Sequence, residues 1–178
     1  MDSAVASPHL QYVGLDGEDA SHMRTTVVMQ AERSHYSLTE VTLGGCLSRH
    51  DLHVQQGGPD TETDTRHFVL CGKGQLHDLH SKLRLAHPRG KSECLHKCIV
   101  AHADGRGVFD GNVRVDKLAQ KTDASQLSRN LLLTPRATVN VKPNLQVRGR
   151  PVHGVARDFA PRVKAYLDPA ASPADRGG

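Results

Sequence analysis

The chain has 178 residues, which is enough for one domain with a buried core. Aromatic residues make up only 3% of it and tryptophan is absent, so any core must be aliphatic and few side chains could stack on nucleic-acid bases. The net charge of +4 arises mainly in residues 148–178, which carry six basic and three acidic side chains. Because the rest of the chain is nearly neutral, we do not expect a nucleic-acid partner.

The cysteines predict the compartment. The sequence contains four of them and no recognisable secretory signal, so we expect free thiols in a reducing environment. Residues 1–10 lack the basic and apolar stretches of a signal or transit peptide. Apolar runs are far shorter than the roughly 20 residues that cross a bilayer, so no membrane contact is expected. The cysteines are Cys46, Cys71, Cys94 and Cys98.

In chain order, residues 1–24 show no clear pattern and are predicted to be irregular. Residues 25–147 contain about ten short alternating or β-branched segments separated by Gly, Pro, Asp and Asn, which predict strands. Strand starts recur at fairly regular intervals, which fits a sandwich or a stack of coils, and the low aromatic content favours the stack. The predicted strands lie near residues 26–32, 37–44, 51–56, 66–70, 78–85, 94–101, 112–116, 128–133, 137–141 and 144–147.

The clearest strand pattern lies in residues 76–85. Leu79, Leu83 and Leu85 share one face with His77 and Ser81, while the other face is charged. A period of two with one polar face predicts a half-buried strand. The pattern stops after Gln146, and the four prolines of residues 148–178 predict a disordered tail.

Five stretches of the sequence occur in an order and spacing characteristic of one family. They are YSLTEVTLGGCLSRHDLHV (36–54), LHDLHSKLRLAHPRGKSECLHKCIVAH (76–102), GVFDGNVRV (107–115), AQKTDASQLSRNLLL (119–133) and ATVNVKPNLQV (137–147). Together they resemble the SufB/SufD family of iron–sulfur cluster assembly proteins, and their residues are most similar to those of the plastid SufD of plants and green algae. The resemblance implies an all-β fold, a right-handed parallel β-helix, for residues 25–147.

The resemblance also implies a function. It indicates a non-catalytic scaffold, not an enzyme, that pairs with SufB in a pseudo-symmetric heterodimer, beneath which two copies of the SufC ATPase dock. A transient iron–sulfur cluster shared with SufB is the implied cargo. The plastid stroma is the implied compartment, with the cytoplasm as the alternative. The sequence has no G-x-x-x-x-G-K-[ST] phosphate loop, so ATP hydrolysis is expected of SufC alone.

Residues 147–154 depart from the family pattern. They read VRGRPVHG and keep a His-Gly pair a few residues early, with Pro-Val in place of Cys-Ser. His153 resembles the interface histidine of the family and is therefore the candidate ligand for iron or a cluster; the alternative is an ordinary histidine of the tail. The helical region that binds SufC in the family has no counterpart after Gly154. A truncated fragment that binds SufB without ATPase coupling is therefore the alternative function.

A second candidate site lies in residues 94–98. Cys94, His96 and Cys98 alternate, so on a strand their side chains would point to one face at intervals of about 7 Å. Thiolate and imidazole both suit zinc or iron, and Cys71 or His80 could supply a fourth ligand from an adjacent coil. The alternative is that these small side chains fill the interior of the stack.

The histidine content raises a third hypothesis, a metal-dependent β-enzyme of the cupin type. The chain contains 12 histidines, some of them beside Asp51 and Asp78. Such an enzyme requires two histidines one residue apart together with a carboxylate. No H-x-H sequence occurs in the chain, so most histidines are expected to be surface or structural groups.

Overall fold

The computed structural model describes residues 7–148 and 162–167, and every regular element in those residues is a β-strand. The described residues contain no helix that could cross a lipid bilayer. The strands are β1 (His9–Gly14), β2 (Ser21–Gln30), β3 (His35–Thr42), β4 (Leu47–Gln56), β5 (Glu62–Cys71), β6 (Leu76–Leu85), β7 (Lys91–Val100), β8 (Arg106–Val115), β9 (Asp123–Leu132), β10 (Thr138–Val147) and β11 (Arg162–Leu167).

Consecutive strands alternate between two parallel sheets. Odd-numbered strands form sheet A in the order β1-β3-β5-β7-β9-β11, and even-numbered strands form sheet B in the order β10-β8-β6-β4-β2. Because parallel neighbours cannot be joined by a hairpin, the chain must travel through the opposite sheet before it returns. The result is a β-solenoid with two strands per coil and five complete coils, from β1–β2 to β9–β10. The predicted stack of coils is confirmed.

The strands alternate between buried and more exposed residues, as the period-two pattern predicts. In β6 the inner positions include His77, Leu79, Leu83 and Leu85, which are all buried. Two apolar clusters form the core, a larger one that includes Leu38, Leu52 and Leu85 and a smaller one that includes Cys71, Cys98 and Val100. Between them the interior is polar, and it includes buried Glu40, His50, His67 and His96.

One corner of the solenoid repeats the same backbone conformation in successive coils. Arg33, Asp60, Arg89 and Lys121 all have φ between 57° and 60°, the left-handed region that non-glycine residues seldom adopt. Amide groups in this corner bond to the coil above: the N–H of Arg33 donates to Pro59 and that of Arg89 to Gln120. Arg89 also binds Asp60 through two hydrogen bonds of 2.6 Å. These contacts hold the coils in register.

Some predicted boundaries differ from the structure. Residues 137–141 and 144–147 were predicted as two strands, but they belong to one strand, β10. Pro143 suggested a break; however, β10 is the edge of sheet B in the described residues, and an edge strand tolerates a residue without an N–H.

The solenoid also extends beyond the predicted core of residues 25–147. β1 and the start of β2 lie in the segment 1–24 that was predicted to be irregular, and β11 lies in the tail 148–178 that was predicted to be disordered. In both cases a neighbouring strand supplies the reason, since β1 pairs with β3 and β11 with β9. An unpaired sheet edge offers backbone partners to segments whose own pattern is weak.

Candidate functional site

The inner face of the first coils holds a buried carboxylate with three partners. Oε1 of Glu40 accepts a hydrogen bond from Arg24 at 2.6 Å, and Oε2 accepts one from Nδ1 of His50 at 2.7 Å and one from Nδ1 of His67 at 3.1 Å. Glu40 itself is only 5% exposed. We call Arg24, Glu40, His50 and His67 the Glu40 cluster. Because its members lie on β2, β3, β4 and β5, the cluster ties the two sheets together.

The electrostatics of this cluster fix the charge of Glu40. Burial by itself would raise the pKa of the carboxyl group. The hydrogen bonds from His50 and His67, with the charges of these two residues, outweigh burial and hold the pKa of Glu40 far below its usual range. Glu40 therefore stays ionised inside the solenoid at neutral pH, paired with the positive charge of Arg24. A carboxylate held in this way orients its neighbours and does not act as a general acid near pH 7.

Next to the cluster lies a small cavity lined by polar side chains. Its volume of about 10 Å³ corresponds to one water molecule. Glu40, His50, His67, His77 and Asp78 contribute to its lining. Within residues 7–148, Nε2 of His67 and both ring nitrogens of His77 lack a hydrogen-bond partner, although these residues are only 3% and 2% exposed. An ordered water at this place would supply the missing partner, as it does for most buried polar groups.

Two cysteines meet deeper in the interior. Cys71 of β5 and Cys98 of β7 are completely or almost completely buried, and Sγ of Cys71 also lies 3.3 Å from the carbonyl oxygen of Arg106. A hydrogen bond from the Cys98 thiol lowers the pKa of Cys71, and the nearby His77 acts in the same direction against burial. The same contact, together with burial, raises the pKa of Cys98. The pair is a close thiol–thiol contact inside an apolar cluster.

The predicted metal ligands Cys94, His96 and Cys98 do share the inner face of β7. His96 stacks on Phe109 with the ring centroids 4.4 Å apart, and its Nδ1 lies 3.3 Å from the hydroxyl of Ser128. Burial, followed by the charge of His67, lowers the pKa of His96 to about 3, so its ring is neutral. Burial also raises the pKa of Cys94 to about 11. These contacts are those of packed interior side chains.

The structure does not bring these residues together as a metal centre. Among residues 7–148 no three His, Cys, Asp or Glu side chains converge in a way that could hold a metal ion. Of the two predicted fourth ligands, Cys71 contacts Cys98, but His80 lies on the outer face of β6, where its Nε2 is 2.8 Å from Asp78. The prediction that His80 could be the fourth ligand was therefore wrong. His80 follows the inner residue Leu79, and consecutive residues of a strand point to opposite faces.

The predicted cluster ligand, His153, lies outside the described residues, and its role stays a prediction. The described residue nearest to it along the chain is Arg148, whose N–H donates to the carbonyl of Val115 immediately after β10. β10 is the last strand of sheet B in the described residues, and the inward-facing Val141 and Leu145 remain half-exposed there. An unpaired strand with apolar inner residues is a template for pairing with another chain.

Comparison with known proteins identifies the family. Residues 4–155 match the model of the SufBD core domain of the SUF system for iron–sulfur cluster assembly. This match covers most of the solenoid described above. The chain belongs to the SufBD family.

Individual relatives agree with this assignment. Over 148 residues the SufBD-family chain is 54% identical to the chloroplastic protein ABCI7 of Arabidopsis thaliana, covering 82% of this chain and 31% of that protein. It is 42% identical over 132 residues to an iron–sulfur cluster assembly SufBD family protein of Synechocystis, covering 74% of this chain and 29% of the relative. To SufD of Escherichia coli it is 30% identical over 149 residues, 82% of this chain and 34% of SufD. The chain thus spans about a third of the length of these relatives.

The sequence of this SufBD-family chain did not by itself point to the Glu40 cluster. A signal for it was present, because Glu40 alternates with Leu38 and Thr42, both of which are buried on the same face of β3. A carboxylate at an inner position must find hydrogen-bond partners. Those partners come from three other strands, and the sequence alone does not show which histidines face them.

Proposed function

We propose that the chain is a non-catalytic scaffold that pairs with a SufB-type subunit through the open edge at β10. The observation that carries the proposal is the match of the SufBD core domain to a solenoid whose sheet B ends, in the described residues, at an unpaired strand. Half-exposed Val141 and Leu145 on the inner face of β10 would be covered by a partner strand that continues the stack.

The cargo in this proposal is an iron–sulfur cluster that this chain holds only together with its partner. His153 is the proposed ligand from this chain, since neutral imidazole binds iron and the partner would add thiolates. A SufC-type ATPase is the proposed energy source for the assembled complex. The plastid stroma is the proposed compartment, supported by the chloroplastic relative.

Co-purification tests the proposal. The 178-residue chain is co-expressed with a tagged SufB-type subunit and a SufC-type ATPase, and the retained subunits are quantified. We expect the SufB-type subunit to retain the chain and Val141→Lys to lower retention at least tenfold, because a lysine would place a charge in the new interior. The matched control is Val13→Lys on β1, at the opposite end of the solenoid, where the wild-type valine is 59% exposed.

Three outcomes separate the possible functions. Recovery of the chain together with the ATPase supports the scaffold coupled to the ATPase, whereas recovery of the chain without the ATPase supports the truncated fragment that only binds SufB. Equal retention of the Val141→Lys and Val13→Lys chains would show that β10 is not the pairing edge. His153→Ala, in the same anaerobic purification, is expected to reduce the iron retained by the complex without weakening subunit pairing.

A further inference from the structure

The outer face of sheet B carries a groove that the proposed scaffold role does not use. The groove has a volume of about 400 Å³ and crosses the sheet from β2 to β10. The strand register explains its course, because outward-facing residues of the five strands stand in rows. Met29 pairs with Gln55, Gln55 with Arg84, Arg84 with Arg114 and Arg114 with Gln146.

One end of the groove is apolar. Val27 and Met29 of β2 line it and are 67% and 63% exposed. Covering such side chains with another apolar group is favourable by about 25 cal/mol for each Å² of apolar surface that is buried. On the neighbouring strand β4 the groove is lined by the polar side chains of His53 and Gln55. This part of the groove therefore favours a partner that places an apolar group against β2.

The part of the groove on β6 and β8 is basic. Arg84 and Arg114 each donate Nε to Asp116 at 2.8 Å, so two guanidinium groups share one carboxylate, and within the described residues their terminal nitrogens make no hydrogen bond. Lys82 of β6 adds a third cation, and in the described residues no carboxylate lies within ion-pair distance of it. Asp51 and Asp110 of the neighbouring row do not line the groove; Asp51 lies 3.5 Å from Arg49, and Asp110 accepts a hydrogen bond from Asn112. The groove thus has a net positive charge.

We infer that this groove binds an acidic amphipathic helix of a partner protein. Five strands at 4.8 Å spacing give a groove about 19 Å long, which corresponds to roughly 13 residues of α-helix. The distance from β2 to the midpoint between β6 and β8 is about 12 Å, or two turns. Carboxylates in the first turns of the helix would meet Lys82, Arg84 and Arg114, and apolar residues two turns later would cover Val27 and Met29.

The groove favours a helix over other occupants. It runs across the strands and its floor consists of side chains, so an extended peptide could not add to a sheet edge there. A helix whose N-terminal turns lie against the basic residues of β6 and β8 places its acidic residues where its own dipole also favours them. A second copy of the chain offers no helix in residues 7–148 or 162–167 to fill the groove.

A designed peptide tests the inference on the 178-residue chain. The probe is a capped 16-residue alanine- and glutamine-based peptide with Glu at positions 3 and 7 and Leu at positions 11 and 14, all on one helical face. One control peptide carries Lys in place of both Glu residues, and another has the Leu and Glu residues on opposite faces. Binding is followed by fluorescence anisotropy at 50 and 300 mM salt. We expect micromolar affinity for the probe, weaker binding at high salt, and at least tenfold weaker binding of both controls.

Variants of the chain locate the site. Lys82→Glu should weaken probe binding at least tenfold, and Val27→Asp at least fivefold. The matched control is Lys97→Glu, which makes the same charge change on an exposed position of sheet A and should change affinity less than twofold. Circular dichroism verifies that each variant remains folded. If the Lys-containing peptide binds as well as the probe, or Lys82→Glu and Lys97→Glu have equal effects, the inference is overturned. The inference would also be overturned if the probe bound only to self-associated chain, as followed by sedimentation.

Discussion

Glu40 lies where a solenoid usually places an uncharged side chain, and its hydrogen bonds decide whether the first coils are stable. Arg24, His50 and His67 reach it from three neighbouring strands. When one partner of a buried charge group is removed, the others lose their compensation, which costs about 3–5 kcal/mol. The cluster therefore stabilises the sheet pair only as a complete set.

We predict that Glu40→Gln lowers the free energy of unfolding by about 3–5 kcal/mol at pH 7. The pKa of Glu40 lies below the 4.5 of an ordinary glutamate, so its charge stabilises the fold in full above pH 4.5 and loses this effect as the pH falls further. The difference between wild type and variant should therefore shrink by about 2 kcal/mol between pH 4.5 and pH 3. Urea denaturation measures it.

The control for this prediction is Glu93→Gln. Glu93 is 55% exposed on the outer face of sheet A, and in the described residues its carboxylate forms an ion pair only with Lys91, at 3.2 Å. Its substitution should leave the urea midpoint unchanged at both pH values. A pH-independent loss in Glu40→Gln would show that Glu40 acts through packing and not through its charge.

For individual residues, the sequence predicted which face of a strand a side chain occupies better than it predicted which side chains are in contact. It placed Cys94, His96 and Cys98 on one face of a strand, and the structure confirms that placement. It did not show that His96 would stack on Phe109 or that Cys98 would contact Cys71, because both partners come from other strands. Alternation along a strand defines a face, whereas the identity of the opposite residue depends on the number of residues in each coil.

Among the elements, β7 and β8 show how closely the two sheets approach. Gly107 is an inner residue of β8, and a Cβ atom on it would lie 2.5 Å from Sγ of Cys98 on β7. The buried sulfur has little room to move, since Cys98 is 1% exposed and packed in the smaller apolar cluster. Glycine at this position is therefore a requirement of sheet packing and not of backbone conformation.

We predict that Gly107→Ala destabilises the chain by about 1–3 kcal/mol through overpacking. Cys98→Ala removes the sulfur that the new methyl group would meet, so the double variant should be more stable than the sum of the single effects by at least about 0.5 kcal/mol. Denaturation in urea measures the complete cycle. Gly17→Ala serves as control, because a Cβ atom there has no neighbour within 4 Å. Additive effects of Gly107→Ala and Cys98→Ala would refute direct contact.

The elements also show where sequence patterns lose their value. Leu76–Leu85 has strict alternation, and its predicted strand agrees with β6 within two residues. β10 was divided at Pro143, since a proline normally ends a strand in the middle of a sheet. Its tolerance there follows from the position of β10 at the edge of sheet B, which is a property of the coil order and not of the local sequence.

For the whole molecule, the stack of coils explains both the regular strand order and the open sheet edges in the described residues. In the part of the chain that the structure describes, each inner coil is covered by the coils before and after it, whereas the first coil and the β10 side of the last coil are uncovered. Within the described residues, sheet B ends at β2 on one side and at β10 on the other. The motifs of residues 36–147 were sufficient to predict this architecture, but β11 was not predictable, since it depends on the free edge of β9.

The uncovered side at β10 leads to a prediction about the isolated chain. We expect it to associate with itself at micromolar concentration, because the half-exposed Val141 and Leu145 and the free backbone groups of β10 gain contacts from any parallel or antiparallel strand. Light scattering after size-exclusion chromatography should therefore give a mass above the 19.3 kDa of one chain. Val141→Lys should return the mass toward 19.3 kDa, and so should a bound SufB-type subunit, since both act on the same edge. If the wild-type chain is monomeric at every concentration, the edge of β10 does not drive association and pairing must depend on another surface.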